Sequence, residues 1–349
     1  MRATLIHAAR DIRVEDVPEP AVQRPGDAVV RVVASCVCGS DLWPYRGVTA
    51  TAEPGRIGHE FIGVVDDIGA EVSTLRIGDF VIAPFVVSDN TCVHCRNGVQ
   101  TSCENGLWWG EMDRDGLQVD GGQGQYVRVP LADGTLVATP AQPDDALIPS
   151  LLTLSDVMGT GHHAALSAGV GPGRTVVVVG DGAVGLCAVL AAGRLGAGRV
   201  IAMSRHQDRQ AVATEFGATD IVEERGEQGV ARVEKLLGGI GADCVLECVG
   251  TKESMQQAID ATRPGGRVGY VGAPSGGAEL PVRALFNRNI GVGGGVAPVR
   301  AYLDELLPEV WSGAINPGRV FDLELGLEDV AEGYVAMDER RSIKALLRS

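Results

Sequence analysis

Aromatic residues are scarce in this chain, at 4% of 349 residues, and basic ones are outnumbered, with 30 Lys and Arg against 45 Asp and Glu. The formal net charge of −15 leaves none of the basic stripe that a nucleic acid or an anionic membrane would need. Long apolar runs are missing as well. None reaches the ~18 residues of a membrane span, and Met1-Arg2-Ala3-Thr4-Leu5 opens no long apolar segment of a signal peptide, so the chain reads as cytoplasmic. No repeat with a period of about 20–50 residues and no low-complexity tract is present. What is abundant is glycine, 48 residues of it, beside 45% apolar content. This suits a turn-rich α/β protein with an ample core, and the length suits two domains better than one. Eight cysteines in a cytosolic chain point to metal or thiol chemistry before disulfides.

The strongest local signal lies between Thr175 and His206. Val176-Val177-Val178-Val179, bounded by glycines, reads as a strand buried on both faces of a parallel sheet. Gly180-Asp181-Gly182-Ala183-Val184-Gly185 follows, then an Ala/Leu-rich helix from Leu186 to Leu195 and a second strand, Arg199 to Met203. In this strand–turn–helix context the first glycine makes the turn and the second admits a pyrophosphate. The third lets helix pack on strand, and the helix N-terminus faces the phosphates. An NAD site expects an acidic residue at the end of the second strand, whereas this chain has Ser204-Arg205-His206. A hydroxyl and a guanidinium suit a 2′-phosphate, so the expected cofactor is NADP(H). A solvated polar turn that tolerates NAD is the alternative.

Residues 1 to about 150 read as β-rich, with strands at 27–33, 61–65 and 79–83 punctuated by Gly and Pro in the manner of a small, partly open barrel. From about 150 to 295 strands and helices alternate. Helices are expected near 206–216, 228–237 and 252–262, and strands at 221–222, 244–249 and 267–271. Two short helices, 301–312 and 327–337, precede Ser342-Ile343-Lys344.

Two motifs carry chemistry in the first half. Cys38-Gly39-Ser40-Asp41 and Gly58-His59-Glu60 offer a thiolate and an imidazole for one zinc, with Asp41 able to fix the His59 tautomer. By spacing alone, a buried cysteine and a satisfied histidine explain them nearly as well. Cys92-x2-Cys95-x7-Cys103 places three cysteines within twelve residues, a strong metal signal.

Together these motifs resemble the zinc-dependent medium-chain alcohol dehydrogenases across essentially the whole chain, closest to the bacterial NADP-dependent secondary-alcohol dehydrogenases. The resemblance implies a GroES-like, β-rich catalytic domain (1–156) with a zinc lobe near 86–110, a doubly wound Rossmann domain (157–295), and a C-terminal segment (296–349) returning to the first. That group's third zinc ligand is an aspartate opening D-x-M-x-T-G-x-H-x-A, and this chain reads Asp156-Val157-Met158-Gly159-Thr160-Gly161-His162-His163-Ala164-Ala165. The catalytic zinc is then expected on Cys38, His59 and Asp156, with Glu60 as an occasional or indirect ligand and His162 and His163 as rivals. The family's structural site is C-x2-C-x2-C-x7-C, and its first cysteine falls on Asp89, so a second zinc is expected on Asp89, Cys92, Cys95 and Cys103. Ser40 matches the proton relay beside the substrate oxygen. Trp43 replaces a histidine that some members carry. Thr160 and Val184 match residues backing the nicotinamide, Val271 the strand end beside the carboxamide, and Lys344 a basic residue near the pyrophosphate.

The implied activity is hydride transfer between NADP(H) and a small alcohol, aldehyde or ketone, in a homodimer or homotetramer assembled through an edge strand near 285–295. Trp43, Tyr45, Phe85, Trp108 and Trp109 are candidates for a hydrophobic pocket. A polyol or amino-alcohol dehydrogenase, a C=C or C=N reductase, and a non-catalytic NADPH-binding protein are the alternatives.

Overall fold

The computed structural model describes residues 1–49, 54–274 and 279–349. The chain divides into two compact units, one of Met1–Asp156 with Pro298–Ser349 and the other of Val157–Ala297.

In the second unit the β-branched runs pair as a six-stranded parallel sheet. Its spatial order is Asp220–Val222, Arg199–Met203, Thr175–Val179, Ala242–Glu247, Thr262–Tyr270 and Gly291–Gly294. Numbered along the chain, this is the 3-2-1-4-5-6 arrangement of a doubly wound dinucleotide-binding sheet. Val177, Val179, Ile201, Met203, Val245 and Val268 are all buried in one cluster, into which helices contribute Val233, Ala258 and Ile259. The strand expected at 244–249 stops at Glu247, because the Glu247 carboxylate turns back to accept from the N–H groups of Val249 (2.9 Å) and Gly250 (2.8 Å). The strand expected at 267–271 begins earlier, at Thr262, where the preceding helix ends. That helix, Lys252–Ala261, starts with a reciprocal cap between Thr251 and Ser254.

In the first unit the main sheet runs Val137–Ala138, Phe80–Ala83, Phe61–Ile68, Ala28–Cys36, Ala345–Arg348 and Leu323–Gly326, with Tyr126–Val129 also paired to Ala28–Cys36. The last strand of the chain therefore lies beside one of the first. A buried pair, Arg128 Nη1 to Asp27 Oδ2 at 2.8 Å, fastens this sheet to the loop before Ala28. The segment expected as one helix at 327–337 is a 3-10 turn, Leu327–Asp329, followed by the helix Val330–Asp338. Among the described residues no helix is long and apolar enough to cross a membrane.

Candidate active site and metal centres

Cys38 leaves the end of the strand Ala28–Cys36, and His59-Glu60 enters the strand Phe61–Ile68, its antiparallel neighbour. Asp156 follows the helix Ile148–Thr153. The loop before His59 depends on Gly58, at φ +101°, where a Cβ would lie 2.5 Å from Gln123 Cγ. Cys38, His59, Glu60 and Asp156 each offer a ligand atom, all within 4.8 Å of one another. Asp156 Oδ2 is 3.6 Å from His59 Nε2 and 3.9 Å from Cys38 Sγ, and His59 Nε2 is 3.9 Å from Glu60 Oε1. Tetrahedral zinc with bonds of about 2.0–2.3 Å sets its ligands roughly 3.3–3.8 Å apart, so the donors need only close by tenths of an ångström. Glu60 Oε2 is buried without a hydrogen-bond partner. The set fits zinc. His162, buried, and His163 lie on the helix Val157–Ser167 and are not among the clustered donors.

Behind the donors stands a second layer. Asp41 Oδ1 is 3.4 Å from His59 Nδ1, while its Oδ2 accepts from the Cys38 N–H (2.9 Å) and from Gln123 Nε2 (3.2 Å). Gln123 also donates to the Cys36 carbonyl at 3.0 Å and accepts from the Tyr334 hydroxyl at 3.0 Å. This arrangement leaves Nε2 of His59 for a metal. Lys344 is the basic residue expected near the pyrophosphate. It is 1% exposed, and its ammonium donates to Glu60 Oε1 (2.7 Å) and the Val37 carbonyl (3.2 Å). A buried ammonium requires a carboxylate, and Glu60 is the one in reach. Burial raises the Cys38 thiol, as does the charge of Glu60. Burial works against a charged His59, yet Cys38, Asp41 and Asp156 overcome it and hold the imidazolium well above its ordinary range. Lys344 is likewise held up against burial, by Cys36, Glu60 and Cys38. Burial lifts the Glu60 carboxyl although Lys344 opposes it.

Asp89, Cys92, Cys95 and Cys103 form the second cluster, again with donors within 4.8 Å. Cys92 Sγ and Cys103 Sγ are 3.9 Å apart. Asp89 Oδ1 accepts from the N–H groups of Thr91 (2.7 Å) and Cys92 (2.9 Å), and its Oδ2 accepts from Asn105 Nδ2 (2.7 Å). Against partial burial these donors hold the Asp89 carboxyl below the usual range, and an ionised oxygen is an acceptable zinc ligand. Four donors close this site and leave no position for a substrate.

In the cofactor unit the three glycines have separable jobs. Gly180 takes φ +116° at the turn, Gly182 faces open space at the start of the helix Ala183–Arg194, and a Cβ on Gly185 would lie 2.0 Å from the Gly180 carbonyl oxygen. No side chain caps that helix, so its first N–H groups remain for an anion. Ala183 and Val184 are half-buried in the first turn. Thr160 is buried on the helix Val157–Ser167, and Val271 donates its N–H to the Glu247 carbonyl at 2.9 Å. Ser204 is 0% exposed, and its hydroxyl donates to Asp181 Oδ2 at 2.8 Å, whereas Arg205 is exposed.

The aromatic candidates divide. Tyr45 is buried against Tyr334, with ring centroids 5.3 Å apart, and Trp109 packs on Phe61 at 5.0 Å while its indole N–H donates to the Pro84 carbonyl. Both are core. Phe85 lies edge-on to His59 at 6.3 Å and continues to Trp108 at 5.9 Å, forming an aromatic wall beside the metal donors. Trp43 is half-buried, and Ser40 is exposed in the turn after Cys38. Sequence reading missed Gln123 and Tyr334. The only signal for Gln123 was its setting in Gly121-Gly122-Gln123-Gly124, where a Cβ on Gly121 would lie 2.3 Å from the Ile57 backbone.

Comparison with known proteins agrees with this geometry. Residues 24–141 match the alcohol dehydrogenase GroES-like domain, and residues 183–312 match the zinc-binding dehydrogenase family. A probable zinc-binding alcohol dehydrogenase of Mycobacterium tuberculosis is 35% identical over 343 residues, covering 97% of this chain and 86% of the relative. Zinc-type alcohol dehydrogenase B of Aspergillus flavus is 30% identical over 356 residues, covering 100% of this chain and 81% of the relative. Among solved structures, alcohol dehydrogenase TADH from Thermus sp. ATN1 superposes with a TM-score of 0.91 at 31% identity, covering 100% of this chain and 99% of that one. Matched from end to end at such identities, this chain belongs to the zinc-dependent alcohol dehydrogenases of the medium-chain dehydrogenase/reductase superfamily, oxidoreductases that transfer hydride with a nicotinamide cofactor.

Proposed function

We propose that the chain is an NADP(H)-dependent zinc alcohol dehydrogenase, serving in the cytosol as a reductase of hydrophobic aldehydes or ketones, with the secondary-alcohol dehydrogenases as its nearest kin. The observation that carries this reading is the convergence of ligand atoms of Cys38, His59, Glu60 and Asp156, all within 4.8 Å of one another. Zinc there would supply Lewis-acid polarisation of a carbonyl, and the nicotinamide the hydride. Cys38 and Asp156 would bring two negative charges and His59 a neutral donor, so together they would hold a divalent metal with little net charge. Asp41 fixes the ring of His59, and Gln123 and Tyr334 hold Asp41. Ser40, in the turn two residues past Cys38, is the group assigned to pass the proton between the substrate oxygen and water or a ribose hydroxyl. Phe85 and Trp108 present an apolar face that favours a hydrophobic substituent and disfavours a polyol.

The cofactor choice rests on the strand end Met203-Ser204-Arg205, which brings no carboxylate of its own. Asp89 with the three lobe cysteines is assigned to a structural zinc, a role suited to the reducing cytosol, where such thiols hold metal rather than form disulfides. Assembly as a dimer or tetramer is assigned to the edge strand Gly291–Gly294, which among the described residues pairs on one side only, with Thr262–Tyr270.

The test is NADPH and NADH oxidation against a panel of aldehydes, ketones, polyol-derived ketoses and activated alkenes, each with a chelator-treated control. Chelator-sensitive NADPH oxidation, fastest with apolar carbonyls, is the expected result. Turnover confined to alkenes would overturn the carbonyl mechanism, and best turnover of the ketoses would overturn the pocket assignment.

A further inference from the structure

We propose that Glu247 is a positioning residue for the nicotinamide half of the cofactor, clamping together the two turns that form its seat, 248–250 and 271–273. The proposal holds for either dinucleotide and rests only on the nicotinamide chemistry established above.

A doubly wound sheet consists of two mononucleotide-binding halves that meet where the strand order reverses. Here that point lies between Thr175–Val179 and Ala242–Glu247, which are hydrogen-bonded neighbours. The glycine turn at 180–185 and the strands on its side take the pyrophosphate and the adenosine half. The carboxyl ends of Ala242–Glu247 and Thr262–Tyr270 are then left for the nicotinamide half. Glu247 closes the first of these strands and is 0% exposed. Its carbonyl accepts from the N–H groups of Val271 (2.9 Å) and Gly272 (3.2 Å), which fixes the turn after the neighbouring strand. Its Oε1 accepts from the N–H groups of Val249 and Gly250 and from the Ser254 hydroxyl at 2.7 Å, which fastens the turn after its own strand to the helix Lys252–Ala261. The Cys248 N–H donates to the Val179 carbonyl at 3.0 Å, so this turn is also tied to the strand that leads into the glycine motif.

The two turns meet through backbone. A Cβ on Gly250 would lie 2.1 Å from the Ala273 carbonyl oxygen, and one on Gly272 would lie 2.1 Å from the Gly250 nitrogen and 2.6 Å from Glu247 Oε2. Glu247 Oε2 itself is buried without a hydrogen-bond partner. Asp243, at the other end of the same strand, has both carboxylate oxygens bonded, as a fastening should. An acid that leaves one oxygen unpaired in the interior costs stability, and such departures are characteristic of functional sites.

The experiment measures binding of NADPH, NADH, 2′,5′-ADP and 5′-AMP to the zinc-loaded full chain and to Glu247→Gln, Glu247→Ala and Ser254→Ala. The single-turnover rate of hydride transfer to an apolar aldehyde is read beside it. Glu247→Ala should weaken whichever dinucleotide the parent binds by about tenfold, while the two fragments, which lack nicotinamide, shift by less than about twofold. Hydride transfer at saturating cofactor should slow by about tenfold to a hundredfold with the KM for the aldehyde little changed, the mark of a misplaced ring rather than of lost substrate binding. Glu247→Gln, whose amide oxygen can take the place of Oε1, should recover most of the loss. Ser254→Ala, which removes one donor to Oε1, should show the same split between dinucleotides and fragments at about threefold. Retained fragment binding shows that a variant is folded, and Ser254→Ala carries the test if Glu247→Ala does not fold. Dinucleotides and fragments weakened in step would make Glu247 merely structural. Unchanged dinucleotide affinity and transfer rate in the folded variants would overturn the proposal. A parent that binds the fragments but neither dinucleotide would overturn the nicotinamide chemistry along with it, whereas a preference for NADH would overturn only the NADP(H) assignment.

Discussion

Cys38 and His59 show how burial shapes the chemistry of single residues in this protein. Without metal, burial raises the Cys38 thiol, and Cys38, Asp41 and Asp156 hold His59 above its ordinary range, so the pair binds protons more tightly than in water. Zinc takes only a thiolate and a neutral imidazole, so loading this site must release protons. Apparent zinc affinity should therefore rise with pH, by about tenfold per unit for each proton released, up to two. Chelator competition across neutral pH in a Cys103→Ser background, with an indicator dye counting protons in weak buffer, reads this directly. A flat affinity with no proton release would show that the donors are already stripped. The cysteines of the lobe, Cys92, Cys95 and Cys103, were legible by their spacing, whereas Asp156 and Asp89 as donors were legible only through the family resemblance. Gln123 and Tyr334 were not, since an amide and a phenol acquire a role only through what folding sets beside them.

At the scale of elements, Asp243 is the fastening of the parallel sheet. It opens the strand Ala242–Glu247 and accepts from the Thr175 N–H (2.8 Å) and hydroxyl (2.9 Å) on one neighbour and from Arg263 Nε (2.8 Å) on the other. Burial opposes its charge, but Thr175 and Arg263 prevail and hold its carboxyl down to about 2, below the ordinary 3.8. A depressed folded value contributes stability that is present above the unfolded value and is lost as pH falls through the folded one. Asp243→Asn should accordingly destabilise the cofactor unit by about 1–3 kcal/mol at neutral pH. Its gap to the parent should shrink as pH falls from about 4 towards 2. Native-state hydrogen exchange at the amides of Thr175–Val179, compared at matched pH, checks both the size and the sign. Strands such as Val176 to Val179 were readable because an all-apolar β-branched run has few other fates. Their ends were less so: Glu247 stops its strand by a carboxylate-to-backbone contact that no periodicity announces.

For the molecule as a whole, two surface features bear on assembly. The helix Val282–Arg288 leaves Phe286 80% and Val282 70% exposed, and the strand Gly291–Gly294 has a single partner among the described residues. Large apolar side chains next to an open sheet edge are costly in a lone chain and mark a surface to be covered. Light scattering should find the protein oligomeric, and Phe286→Asp should shift it towards monomer while circular dichroism stays unchanged. A parent that is monomeric at every concentration would sink this assignment. The chain by itself determined the two-part architecture, the glycine turn and the cysteine-rich lobe, because these follow from residue chemistry and short-range periodicity, while the aspartate donors were read through the family resemblance. Only tertiary structure decided what those residues do to one another. It turned Lys344 inward onto Glu60, committed the Ser204 hydroxyl to Asp181, and brought Arg209 and Arg225 to that same carboxylate from separate elements. Such pairings join positions far apart in the chain, or settle which of several polar neighbours a buried group must answer, and both depend on distances in space that spacing along a sequence does not encode.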